Sequence, residues 1–249
     1  MIKDFLFYYA IIYVAISMFY LVWRYIFILI VEDDKYKEYN AKTTTIIPVY
    51  NETKENLKNC IESAVNQENN EVIVIDDGST NGIQEYIKEL AKEYDFKGIF
   101  FKKNKGKRYA QNAGIIASNR EIIVTLDSDT ILEKGAIKEL IKPFNDRMVA
   151  GVTGNCCVSN ENESWLTRLI AARYFTAFNL ERYYQSKLNI VTCCSGVLAA
   201  YRREYVIPIL HEYLNTNFLG KRLTYGDDRH LTMLLLKNYK IKYSYDALC

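Results

Sequence analysis

An unbroken apolar run from Phe5 to Trp23 opens the chain, resumes after Arg24 from Tyr25 to Val31, and then gives way to a different rhythm. Short β-branched runs, Thr43–Tyr50, Glu71–Ile75, Gly98–Phe101 and Glu121–Leu126, predict buried strands. Between them, Thr53–Asn66, Gly82–Tyr94 and Lys107–Ser118 carry apolar residues at helical spacing, as in Leu57, Ile61, Ala64 and Val65. Strand and helix alternate at the spacing of βαβ units, which predicts an open, mostly parallel sheet. Further on, Met148–Val158 reads as strand and Ser164–Ser186 as a long helix with Trp165, Leu169, Ala172, Phe175 and Phe178 along it. Val197–Tyr201 and Lys240–Tyr245 read as strands, and Gly226-Asp227-Asp228-Arg229-His230 opens a helix that runs into Leu231–Leu236.

The first run, taken as residues 5–31, is long enough for a bilayer, which needs roughly 20 apolar residues as a helix. It is too long for a signal peptide and no small-residue cleavage site follows it, so a retained anchor in membrane lipid is expected. Arg24, near its C-terminal end, is expected to snorkel towards the headgroups. Beyond the run stand Lys35, Lys37 and Lys42 against Glu32, Asp33 and Asp34. Only the basic residues count for orientation, which puts residues 42–249 on the cytosolic face.

Composition narrows the rest. With 49% hydrophobic and 25% charged residues over 249 positions, the chain suits one ordered α/β domain. A net charge of +2 and the lack of a basic stripe interleaved with aromatics argue against nucleic acid. Six cysteines without a C-x-x-C pair, and two histidines, exclude the spacings of a zinc site and are expected to be reduced cytosolic thiols.

Polar groups collect where the strands end, the edge at which open parallel sheets bind ligands. Asp127-Ser128-Asp129 places two carboxylates at alternate positions after a hydrophobic strand. Mg²⁺ and Mn²⁺ take oxygen ligands, often one or two carboxylates plus substrate phosphates, so this pair suits a metal–diphosphate. Asp76-Asp77-Gly78-Ser79 reads equally as a plain Asp-Gly turn or as an acid that receives hydrogen bonds from a base or ribose. Lys105-Gly106-Lys107-Arg108 leads into a helix, where charge and backbone N–H groups favour phosphate. The acids of Gly226-Asp227-Asp228 cap a helix, and one of them meets the need of sugar transfer for a proton acceptor remote from the leaving diphosphate.

Read in order, TTTIIPVYNE, VIVIDDGST, NKGKRYAQN, VTLDSDT, FNLERYYQS, VTCCSGVLAAYRRE and GDDRHLT resemble the processive family 2 glycosyltransferases, and among them the hyaluronan synthases. The resemblance implies a GT-A nucleotide-sugar fold and an inverting, metal-dependent transfer from UDP-GlcNAc and UDP-GlcA to a β-linked carbohydrate acceptor. By position, Pro48, Tyr50, Glu52, Asp76 and Asp77 would bind uridine, Lys107 the diphosphate and Asp127 the nucleotide. Asp129 would ligate Mn²⁺ or Mg²⁺. Ser195, Gly196 and Asp227 would lie on the acceptor side, and Asp228 would be the general base. Two departures stand out: Asn155 follows Val152-Thr153-Gly154 where an Asp is expected, and no Q/R-x-x-R-W motif or further membrane helices appear before Cys249. The expectation is a truncated or split enzyme, or one dependent on a separate chain. A chitin-oligosaccharide synthase shares almost the whole motif set, and a catalytically dead UDP-binding membrane fragment is the rival of a different class.

Overall fold

A computed structural model describes residues 2–32, 35–218, 220–222 and 225–249. Asp33 and Asp34, counted above in the charge balance after the apolar run, lie outside the described residues.

Helix α1 (Ile2–Ile30) has 29 residues, roughly 44 Å at about 1.5 Å per residue, and is long and apolar enough to cross a membrane. The α/β body follows in the order β1 (Thr43–Val49), α2 (Lys54–Val65), β2 (Asn70–Asp76), α3 (Ile83–Leu90), β3 (Lys97–Phe100), α4 (Lys107–Ala117) and β4 (Ile122–Leu126). It continues through α5 (Ala136–Ile141), β5 (Val149–Asn155), α6 (Trp165–Phe175), a π-helical stretch Thr176–Arg182, α7 (Tyr183–Lys187) and β6 (Leu198–Arg202). The short α8 (Arg203–Val206) and α9 (Leu210–Asn215), the small pair β7 (Asn217–Phe218) and β8 (Lys221–Arg222), α10 (Asp227–Leu236) and β9 (Lys240–Leu248) complete it.

Seven strands form one sheet in the order β3-β2-β1-β4-β6-β5-β9. Every neighbouring pair is parallel except β4–β6 and β5–β6, so β6 alone runs against the others. The mostly parallel sheet expected from the sequence is therefore present, with one reversed strand in its middle. Pleating divides the core between two faces. Ile47, Val72, Val74 and Val124 pack with α2, α3 and α5, whereas Ile46, Ile73, Ile75 and Ile123 pack with α4 and α10.

Register sets the functional edge. Val49 lies opposite Asp76, and Ile46 opposite Thr125, so β1, β2 and β4 deliver Tyr50–Glu52, Asp76–Asp77 and Asp127–Asp129 to the same side. Because β6 is antiparallel and Leu198 faces Leu126, the residues just before β6, Ser195 and Gly196, arrive at that side too.

Two local expectations change. The sequence pattern did not predict α5, α8 or α9, which are short helices of mixed polarity. The long helix expected over Ser164–Ser186 contains the π-helical stretch, and Trp165, Leu169 and Phe175 on α6 are exposed while Phe178 is buried. Near the C-terminal end of α1, Arg24 meets protein partners. It is buried, its Nη1 lies 3.5 Å from Glu181 Oε1, and its guanidinium sits over the rings of Tyr20 and Tyr184.

Candidate active site

Strand β4 ends at Leu126 because its apolar run stops, and the chain turns at once, with the Thr130 N–H donating to the Asp127 carbonyl at 3.1 Å. This turn holds both acids of Asp127-Ser128-Asp129 at the sheet edge. Burial, and then the charge of Asp127 beside it, pushes the Asp129 carboxyl above its ordinary value. Two like-charged oxygen donors in such a position fit a hard divalent cation. Among the described residues no cluster of three or more metal-ligating side chains exists, so substrate phosphates and water would have to complete the shell.

Ser128 does not point to empty space. Its hydroxyl donates to Glu52 Oε2 at 3.0 Å, while Glu52 Oε1 accepts from the Thr53 N–H and from Asn56 Nδ2. Burial alone would raise the Glu52 carboxyl, but these hydrogen bonds outweigh it and hold it below the ordinary carboxylate value. Glu52 thereby ties the end of β1 to the end of β4. Pro48 lies within β1, half-buried, and Tyr50 is 51% exposed beside the cleft.

The Asp76-Asp77 pair is turned inward. Asp76 is fully buried and accepts from the Ser79 N–H at 3.1 Å and from Gln84 Nε2 at 3.4 Å. Asp77 accepts from the backbone N–H groups of Lys105 and Gly106, both at 2.8 Å. Gly78 allows this approach, because a Cβ there would stand 2.4 Å from the Lys103 carbonyl carbon, at a φ of +73°. Asp77 thus fixes the loop that enters α4, and Asp76 the turn between β2 and α3.

The basic cluster at that entry divides. Only Lys107 faces the acids: its ammonium is 2.6 Å from Asp127 Oδ1. Burial would lower the lysine, but the charges of Asp127, Asp228 and Asp227 prevail and hold it above its ordinary value. Lys105 lies over the Phe101 ring. Arg108 is buried away from the cleft, paired with Asp227 and donating to the Tyr213 and Tyr225 carbonyls. The phosphate cluster expected from sequence is therefore one lysine, because a helix points consecutive side chains about 100° apart.

Asp227 and Asp228, adjacent in sequence, part in the same way. Asp227 goes to Arg108, while Asp228 Oδ2 accepts the Gly196 N–H at 2.8 Å. The Gly196 α-carbon separates two groups of opposite charge: a Cβ there would lie 2.8 Å from Asp228 Oδ2 and 2.8 Å from Lys107 Nζ. Burial pushes the Asp228 carboxyl upward, Lys107 and the Gly196 N–H pull it back, and Asp127 and Asp227 push it further up. Asp127, Lys107 and Asp228 thus form a row, with Gly196 against its Lys107 and Asp228 members.

Residues that sequence reading passed over hold this row. The Ser195 N–H donates to Thr153 Oγ1 at 3.1 Å, and the Cys194 N–H to Thr232 Oγ1 at 2.9 Å. The Thr232 hydroxyl donates in turn to the Asp228 carbonyl at 2.6 Å, a contact foreshadowed only by its spacing of four on a helix. Asn155 is buried, donating to the Tyr245 carbonyl and to Asn179.

The sequence model of glycosyl transferase family 2 matches residues 44–210. An N-acetylglucosaminyltransferase of Azorhizobium caulinodans is 36% identical over 235 residues, which cover 90% of this chain and 59% of that protein. A hyaluronan synthase of Streptococcus pyogenes is 36% identical over 249 residues, covering 96% of this chain and 59% of the relative. The chain therefore spans about three-fifths of the length of these curated relatives. In three dimensions it superposes on a mannosyltransferase from Pyrobaculum calidifontis solved with GDP-Man and Mn²⁺, at a TM-score of 0.70 and 22% identity, over 92% of this chain and 63% of the other.

Proposed function

The chain belongs to glycosyl transferase family 2, and from that premise we propose that it transfers sugar from a UDP-sugar to a carbohydrate acceptor with inversion. The observation that carries this reading is the row Asp127–Lys107–Asp228, in which one lysine stands against the carboxylate that would help hold the cation and near the one that would accept the proton.

Uridine would lie between the loops after β1 and β2, against Pro48, Tyr50 and Glu52. Asp76 and Asp77 would serve it through the loops they hold. Asp129, with Asp127, would hold Mn²⁺ or Mg²⁺ together with the diphosphate. The ion, when bound, offsets the negative charge that grows on the departing UDP. Lys107 would leave Asp127 for the diphosphate oxygens and supply a second positive charge. On the far side Asp228 would accept the proton of an acceptor hydroxyl. That oxygen forms the new bond to the anomeric carbon as the bond to the UDP oxygen breaks on the opposite face. A carboxylate made more basic by burial suits this task. Asp227, engaged by Arg108, would act on the acceptor side only by holding Asp228 in place.

In this reading α1 anchors the protein in membrane lipid with the catalytic body on the cytosolic face, and a separate chain would supply any further membrane helices. The relatives named above stand level at 36% identity, so they do not separate a hyaluronan-type from a chitin-oligosaccharide-type product. We favour UDP-GlcNAc and UDP-GlcA together, on the strength of Cys193-Cys194-Ser195-Gly196 and Gly226-Asp227-Asp228. Supplying membranes with each labelled UDP-sugar alone and then both tests it. Polymer that requires both donors supports the reading, and oligosaccharide from UDP-GlcNAc alone replaces it with the chitin-oligosaccharide one.

A further inference from the structure

The helical stretch from Thr176 to Lys187 touches both the end of α1 and the segment that leads into the Ser195-Gly196 turn. Towards α1, Glu181 meets Arg24, Tyr184 stacks edge-on against Phe27 with ring centroids 5.2 Å apart, and Lys187 donates to the Val31 carbonyl. From the neighbouring face, Arg182 Nε donates to the Cys193 carbonyl at 3.3 Å, and Gln185 Oε1 accepts the Thr192 N–H at 3.1 Å. Thr192 and Cys193 immediately precede the turn whose Gly196 N–H holds Asp228.

The π-helical geometry of Thr176–Arg182 matters to this arrangement. A π-turn inserts a residue into the helical repeat and is frequently found at functional sites. Here it sets the adjacent residues Glu181 and Arg182 to serve two different partners. The Arg182 guanidinium packs at 4.1 Å over the Phe178 ring, which limits its freedom to follow anything but the helix.

We propose that Arg24 and Glu181 are positioning residues through which α1 sets the Thr192–Gly196 turn, and so the acceptor side of the cleft. The donor side is held differently: Glu52, Asp127 and Lys107 stand at the ends of β1, β4 and α4, with Glu52 bonded to Ser128 and Lys107 to Asp127. This inference rests on the reading that Ser195-Gly196 covers the acceptor. Its consequence is that disturbing the end of α1 weakens acceptor use while leaving nucleotide binding intact.

The test uses the full chain in nanodiscs, as wild type, Arg24→Ala, Arg24→Lys, Glu181→Arg and the double reversal Arg24→Glu/Glu181→Arg. Peptide-resolved hydrogen exchange over 190–197 should be at least about fivefold faster in Arg24→Ala and Glu181→Arg, since local opening follows the contacts that close a segment. Arg24→Lys and the double reversal should return towards wild type, and β4 should not change in any variant. Acceptor KM should rise in step with exchange, with donor KM and UDP affinity unaltered. Unchanged exchange over 190–197 in Arg24→Ala, or donor and acceptor KM moving together, would overturn the coupling. If wild type shows no metal-dependent UDP binding, the proposed function falls, and the exchange comparison still decides whether α1 sets the turn.

Discussion

The Lys107 ammonium stands 2.6 Å from Asp127 Oδ1, joining the first turn of α4 to the end of β4. The ion pair is half-open to solvent, with side-chain exposures of 35% and 28%, so its worth to the folded state is small. Its meaning is chemical: a cation already sits where the diphosphate is proposed to bind. Lys107→Met should therefore lower UDP affinity by roughly 10- to 100-fold, the range for losing one or more charge-assisted hydrogen bonds. Calorimetry with UDP checks this.

The same substitution should move the pH profile. Asp228 must be ionised to accept a proton, and burial places its titration above the ordinary carboxylate value. Activity should therefore fall as pH drops through that raised value. Lys107 draws it downward, so Lys107→Met should shift the acid limb of kcat to higher pH, measured at saturating metal and donor. A limb that stays in place would remove Lys107 from the neighbourhood of the base.

Asp227 and Asp228 should fail differently. Asp228→Asn should reduce transfer by roughly 10²- to 10⁴-fold, the usual loss for a general base, with UDP affinity nearly unchanged. Asp227→Asn takes the counter-charge from a buried arginine and should cost about 3–5 kcal/mol of stability. A thermal melt beside UDP release and product sizing separates the two. Equal loss of transfer without any change in melting would contradict the division of roles.

That division marks the limit of what periodicity could show, since only the family resemblance singled out Lys107 and Asp228. The alternation of strand and helix, the acids at the ends of β2 and β4, and the reach of α4 were all legible from periodicity, since β2 and β4 each carry a buried, β-branched run. Which neighbour in a pair faces the cleft was not. Lys107 and Arg108, or Asp227 and Asp228, share composition and place but sit a third of a turn apart on their helices. Only packing against α9 and the Tyr213 carbonyl shows that Arg108 points inward. The reversed β6 was hidden too, because a buried strand reads the same in either direction, and the junction of Arg24 with Glu181 joins segments far apart in the chain.

Gly196 is a sharper probe of the row than any charged residue. A methyl group there would press on Asp228 and Lys107 together, at 2.8 Å from each. Gly196→Ala should cut transfer by about 10²-fold, the cost of a displacement of about 1 Å at the reacting groups, while thermal stability changes little. Full transfer by this variant would mean that the carboxylate and the lysine are free to separate, against the geometry described here.

Whether Asp127 and Asp129 hold a metal–nucleotide is the central claim, and UDP binding to the full chain in nanodiscs, with Mn²⁺ or Mg²⁺ and then with chelator, tests it most directly. The account predicts clear binding with either ion, loss on chelation, and loss of the metal dependence in Asp129→Asn. Equal affinity with and without metal in the wild type would contradict it.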